Sequence, residues 1–162
     1  MPEKGEHYLI EAWKEIKTDK KLVIAGGISD TEGYGKELKE LAEGDERIIF
    51  TGFVQGRELE ELYSNALIYV LPSDLERMPL SLLEAMSYGN CCLVSDIEEC
   101  KEVVEDKAVS FRKGDVEDLR EKLEGLLKDR DRVKKYKEEA AEFICRKYNW
   151  DDAVKEILRI YR

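Results

Sequence analysis

The sequence predicts an α/β fold, a Rossmann-like doubly wound parallel sheet followed by an all-helical last third. Three observations predict it. Short apolar runs alternate with helix-periodic segments through the first 114 residues. The runs are continuously apolar rather than alternating, as expected of strands covered on both faces. From Val116 onward only helical periodicity remains.

Taken in order, a helical segment near 6–17 leads to the apolar run LVIA at 22–25. A helix near 35–43 leads to RIIF at 47–50, and one near 56–65 leads to LIYVL at 67–71. A helix near 80–88 precedes CCLV at 91–94, and one near 99–105 precedes AVSF at 108–111. Such βαβα order implies right-handed crossovers between parallel strands. In the last third, Val133, Tyr136, Ala140, Phe143 and Ile144 form one apolar face, and Trp150, Ala153, Val154, Ile157 and Tyr161 form another. Asp115 and Asp151 are the expected N-caps, and these helices are expected to cover the sheet. The reading is one domain over 1–162, with a sheet core at 1–114 and C-terminal helices at 115–162.

A chain of 162 residues can bury a real core, about two-thirds of its unfolded surface. With 27 Lys and Arg against 37 Asp and Glu, the net charge is -10, which disfavours nucleic acid as a partner. An anionic ligand must then be held by local devices, such as helix N-termini and a few cations. The four cysteines include the adjacent Cys91 and Cys92, which a strand points to opposite faces, and the single histidine is His7. That inventory predicts no metal site, and free thiols predict a reducing compartment. No apolar run is long enough to span a membrane.

The densest signal is at 72–96, PSDLERMPLSLLEAMSYGNCCLVSD. A strand ends, a loop carries Glu76, a helix begins at Leu80 and carries Glu84, and another strand follows. Ligands of open parallel sheets sit beyond the carboxyl ends of the strands. The first amides of the helix, near Leu80 and Ser81, have no intrahelical acceptor and suit a phosphate. Glu84, one turn in, leans back toward the helix start and can reach a ribose hydroxyl. Glu76 can accept hydrogen bonds from sugar hydroxyls. The same residues fit a plainer reading: Ser81-x-x-Glu84 is also a capping box, and Glu76 alone is also a solvated loop charge. Gly26-Gly27 after the first strand is either a close approach to a ligand or an ordinary turn.

These residues together resemble the donor-binding signature of retaining GT-B glycosyltransferases of family 4, the group 1 transferases. The family pattern is two glutamates with seven residues between them, within PSxxEGxxLxLLEAMAxGxPVVxSD. LVIAGG, IIFTGFV and ELYSNALIYVLPS resemble its earlier strands, and KEVVED (with Glu102), FRKGDVEDL and YNW its later helices. The resemblance implies that Glu76 contacts the donor sugar as the catalytic residue and that Glu84 holds the ribose. It implies that the backbone of Met78, Pro79, Leu80 and Ser81 holds sugar and diphosphate, with Arg77 beside them. PEKG at 2–5 resembles the family's lysine–glycine step, making Lys4 the diphosphate cation. Phe53 and Val54 match the base-pocket segment, and Gly26 and Gly27 the close-approach turn. The donor is a UDP-, GDP- or ADP-sugar, with no cofactor and no metal.

Two departures stand out. Arg77 replaces the family's glycine; it either projects away, adds charge toward the diphosphate, or narrows the sugar pocket. Cys91 replaces a proline. The resemblance also implies an N-terminal acceptor domain and a first strand, with an arginine for the diphosphate, before residue 1. Without that strand, two strands expose edges or close up. The chain is then inactive alone as a hexosyltransferase, and belongs to a cytoplasmic enzyme whose full form can touch the inner membrane face. A glycosidase pair fits poorly, because one glutamate sits behind the phosphate site. A GT-B epimerase also fits the signature poorly. A signalling receiver lacks its acidic pair after the first strand. A non-catalytic module binding a nucleotide or a partner remains the alternative.

Overall fold

A computed structural model describes residues 1–27 and 32–161. After a 3-10 turn at Pro2–Lys4, the order is α1 Glu6–Glu15, β1 Leu22–Ala25, α2 Glu32–Leu41, β2 Ile48–Gly52, α3 Arg57–Asn65 and β3 Ile68–Leu71. There follow α4 Leu80–Ser87, β4 Cys91–Ser95, α5 Glu98–Val104, β5 Val109–Phe111, α6 Val116–Lys128, α7 Arg130–Lys147 and α8 Trp150–Ile160. Each predicted element exists within a few residues of its expected place. Helix α2 starts earlier than the glycines at 33 and 35 suggest. Tyr34 explains this: it is buried and its hydroxyl bonds both Glu6 and His7, so tertiary contacts outweigh poor propensity.

All the strand pairs are parallel, but they form two hydrogen-bonded sets, β1-β2 and β3-β4-β5. One sheet face carries α1, α2 and α6, whose Leu9, Trp13, Leu38, Leu119 and Leu123 pack with Cys91 and Leu93. The opposite face carries α4, α5 and α7, whose Leu82, Met86, Val103, Ala140 and Ile144 pack with Cys92 and Val94. Cys91 and Cys92 therefore do point to opposite faces. Strand β4 is buried throughout, as its unbroken apolar run predicts. The same expectation fails for β1 and β2, where the register partners Val23 and Ile49 are 41% and 42% exposed. Among the described residues no helix covers them on that face as fully as α4, α5 and α7 cover β4.

The C-terminal helices divide. Asp115 caps α6 by accepting from the Asp118 amide, as predicted. The expected cap at Asp151 is corrected: Asn149 caps α8 and Asp151 supplies the donating amide. Helix α7 buries Val133, Ala140, Phe143 and Ile144. Helix α8 does not cover the sheet, because Val154, Ile157, Leu158 and Tyr161 are all exposed. The side chains of Trp150 and Ala153 lie outside the described part of the structure.

Candidate functional site

The site is built where β3 ends. Leu71, Pro72 and Ser73 are buried, and the chain then turns through Asp74 and Glu76 before α4. Ser95, at the end of β4, donates to the Ser73 carbonyl at 2.5 Å, tying the loop to the neighbouring strand. Ser73 in turn donates to Glu76 Oε1 at 2.7 Å. On the other side, the Asp74 amide donates to the Glu3 carbonyl at 2.8 Å, and the Tyr8 hydroxyl donates to Asp74 Oδ2 at 3.0 Å. That hydrogen bond, with burial, pushes the Tyr8 phenol above its usual range and keeps it a donor. The 3-10 turn and α1 are thus docked on the loop.

That docking delivers Lys4. Its Nζ lies 2.8 Å from Glu76 Oε1, with the Glu76 side chain 9% and the Lys4 side chain 38% accessible. Both donors use the same carboxylate oxygen. Among the described residues Oε2 has no partner, so it is available to a ligand hydroxyl. Lys4 keeps ammonium protons for an anion. Gly5 makes the arrangement geometrically feasible. Its φ is 71°, and a Cβ there would stand 2.0 Å from the Pro72 carbonyl oxygen. Only glycine lets the turn come so near the strand end.

At α4 the capping-box reading fails. The N-cap is Pro79 and no side chain caps the helix. The Leu80 amide, expected to be free, bonds the Met78 carbonyl at 2.8 Å, and the Leu82 and Leu83 amides share the Pro79 carbonyl. Among the described residues the Ser81 amide has no acceptor, so it is the first-turn donor left for an anion. Glu84 is exposed, and its Oε2 accepts from the Tyr63 hydroxyl at 3.1 Å. Burial, then the Glu84 charge, pushes the Tyr63 phenol up, so it too remains a donor. Tyr69 donates to Ser81 Oγ at 2.8 Å, fixing the start of the helix.

Lys4, Ser73, Glu76 and Ser81 share the carboxyl end of a cavity of about 690 Å³. Of the remaining predicted residues, Gly26, Gly27, Phe53, Val54, Arg77, Met78, Pro79, Leu80 and Glu84 do not line it. Gly27 and Phe53 are nevertheless neighbours, since a Cβ on Gly27 would meet the Phe53 side chain at 3.4 Å. Phe53, Met78 and Leu80 are exposed apolar groups near the strand ends. Arg77 is exposed and, among the described residues, forms no ion pair. Tyr8, Tyr63 and Ser73 escaped the sequence reading, and Gly5 entered it only as half of the lysine–glycine step. Tyr63 lies in ELYSNA, and only its position before β3 hints that it reaches α4.

Known proteins resemble the chain over nearly its whole length. An uncharacterised glycosyltransferase of Methanocaldococcus jannaschii is 29% identical over 99% of this chain and 42% of its own length. Alpha-maltose-1-phosphate synthase of Mycolicibacterium smegmatis is 27% identical over 99% of this chain and 45% of its own. The chain therefore spans under half the length of these curated relatives. The solved structure of Anabaena HepE in complex with UDP-glucose superposes with a TM-score of 0.90 at 18% identity, over 99% of this chain and 46% of that one. Such a likeness shows the fold alone, a Rossmann-like domain of the GT-B type. Residues 1–143 match the glycosyl transferases group 1 family, and the chain belongs to that family.

Proposed function

We propose that this domain holds the nucleotide diphosphate sugar donor of a retaining glycosyltransferase and moves a hexosyl unit to an acceptor hydroxyl. The observation that carries the reading is the Lys4–Glu76 pair, 2.8 Å apart, at the strand ends beside the open Ser81 amide. A cation, a carboxylate and a helix N-terminus within one cavity suit a diphosphate joined to a sugar. Lys4 and the Ser81 amide take the diphosphate. Glu76 Oε2 accepts from sugar hydroxyls, and Glu84, held by Tyr63, accepts from the ribose. The base stacks on Phe53, an exposed ring beside Gly27, with Val54 and Gly26 next to them.

Chemistry follows from where charge develops. The bond from the anomeric carbon to the diphosphate oxygen breaks, and negative charge grows on that oxygen. Lys4 and the α4 amide are preorganised to stabilise it. Glu76 stabilises the positive charge that grows on the sugar. The acceptor oxygen attacks on the face the diphosphate leaves, so configuration is kept, and its proton passes to the departing phosphate. The whole protein's acceptor and its transfer activity depend on polypeptide beyond this chain.

Calorimetric titration of the wild type and Glu84→Ala with UDP, GDP, ADP and UDP-glucose tests the reading. Binding of at least one diphosphate is expected, weakened about tenfold by Glu84→Ala, the loss of one charge-assisted hydrogen bond. Failure of every nucleotide to bind would refute it.

A further inference from the structure

Ser73 stands beside Glu76 with a hydroxyl that the donor reading does not use. The residue is wholly buried, as is Ser95 at the end of β4. Ser95 Oγ donates to the Ser73 carbonyl at 2.5 Å, and Ser73 Oγ donates to Glu76 Oε1 at 2.7 Å. A serine hydroxyl has one proton, so Ser73 spends its whole donor capacity on that carboxylate and keeps none for a ligand. The chain of bonds starts from a firm base. Strand β4 is buried along its length, and Ser95 is in register with Phe111 of β5.

Lys4 is a different kind of partner. It holds the same oxygen at 2.8 Å, but from a side chain that is 38% accessible and carried on a flexible stem. In the empty site its charge is matched by Glu76. A diphosphate competes for that charge, because an ammonium that stabilises the leaving oxygen is drawn away from the carboxylate. Glu76 then loses one of its two side-chain donors. The Glu76 side chain is only 9% accessible, and a carboxylate so buried is costly to leave without a donor. Among the described residues, Ser73 is the side-chain donor that remains.

We propose that Ser73 is a positioning residue for sugar recognition: its buried hydroxyl keeps Glu76 aimed at the donor sugar while Lys4 passes to the diphosphate. This rests on the donor reading of Lys4 and Glu76. It divides their work between two different supports. Lys4 sets the affinity for the diphosphate, and Ser73, acting through Glu76, sets the affinity that the sugar adds. It also accounts for a hydroxyl at a wholly buried position, where alanine would leave no polar group to satisfy.

Calorimetric titration of the wild type, Ser73→Ala and Lys4→Ala tests the division. The ligands are paired: UDP with UDP-glucose, GDP with GDP-mannose, ADP with ADP-glucose. The pair that the wild type binds gives the ratio of nucleotide-sugar affinity to nucleotide affinity. Ser73→Ala should lower that ratio about tenfold, the loss of one charge-assisted hydrogen bond, and leave nucleotide affinity within about twofold. Lys4→Ala should weaken both members of the pair alike and keep the ratio. Ser73→Cys places a weaker donor of similar size and should fall between wild type and Ser73→Ala. It carries the same comparison if Ser73→Ala does not fold. A merely structural serine would weaken both ligands together, and that result, or an unchanged ratio, overturns the inference. So does a ratio lost in Lys4→Ala and kept in Ser73→Ala, since the lysine is then the holder. A wild type that binds no nucleotide refutes the donor reading itself, and this inference with it.

Discussion

Gly5→Ala tests how the site is assembled. The mutation has two separable costs. Residue 5 sits at φ 71°, where an L side chain costs about 1–2 kcal/mol. The new Cβ also starts 2.0 Å from the Pro72 carbonyl oxygen and 2.8 Å from its carbon. Reaching an ordinary contact of 3.4 Å demands a retreat of 1.4 Å by one backbone or the other. Such overpacking adds about 1–3 kcal/mol. A sum near 3 kcal/mol lowers the unfolding temperature of a chain this size by roughly 6–12 °C. The retreat also drags Lys4 from Glu76, since the two positions are joined through the turn that Gly5 closes.

Gly44→Ala is the matched control. Its φ is 82°, and an added Cβ meets nothing within 4 Å, so only the conformational cost applies. Thermal unfolding by circular dichroism, with UDP titration of each variant, separates the effects. Gly5→Ala should lose about 1–3 kcal/mol more stability than Gly44→Ala and alone should lose UDP affinity. If the two variants unfold together and bind UDP equally, the close approach of the turn to β3 is not what positions Lys4, and the reasoning fails.

Other expectations concern single groups. Lys4→Ala should change stability by under about 1 kcal/mol, because the lysine is partly exposed, yet weaken UDP binding about tenfold while leaving uridine binding unaltered. Parallel titrations of the two ligands decide this. Tyr63→Phe should weaken nucleotide binding several-fold, because it frees the Glu84 carboxylate, while costing about 1 kcal/mol of stability. Equal affinity in Tyr63→Phe would remove Tyr63 from the positioning of Glu84. A thiol reagent at pH 8 should modify Cys145 quickly and Cys91, Cys92 and Cys100 only on unfolding. Burial pushes Cys91 up to about 11 and Cys100 up to about 12. Protons are then retained in the folded state after the unfolded thiols lose theirs near pH 9. Stability is full below that pH and falls above it, by up to about 1.4 kcal/mol per pH unit for each thiol. A flat melting temperature between pH 9 and 11 would contradict this.

What the sequence discloses depends on the range of the physics involved. Strand β4 was legible because four consecutive buried residues write an unbroken apolar run, and Asp115 because a cap acts on amides three residues away. The cap of α8 was misread by two residues, since Asn149 and Asp151 both satisfy the local chemistry. Glu76 and Glu84 were legible through the motif around them. Lys4 was legible through its lysine–glycine step, but its pairing with Glu76 across 72 positions was not, and Tyr63, 21 positions from Glu84, carries no local signal. Gly5 was legible only as half of a lysine–glycine step, and its reason, the Pro72 carbonyl, becomes visible in three dimensions.

A periodic apolar face states that residues seek burial, and leaves open what buries them. Helices α7 and α8 have comparable apolar faces in the sequence. One lies against α4 and β4, and the other leaves Val154, Ile157 and Tyr161 in water. The same asymmetry holds for strands: LVIA and CCLV read alike, but among the described residues β4 is paired on both edges and β1 on one. Exposed Val23 and exposed Ile157 are therefore the same kind of observation. Each marks apolar surface that this fold does not cover by itself, and surfaces of that kind are where further polypeptide binds. The proposed donor residues Lys4 and Glu76 stand at the carboxyl end of the cavity that β1 and β3 flank, so the cover that β1 lacks lies beside the site.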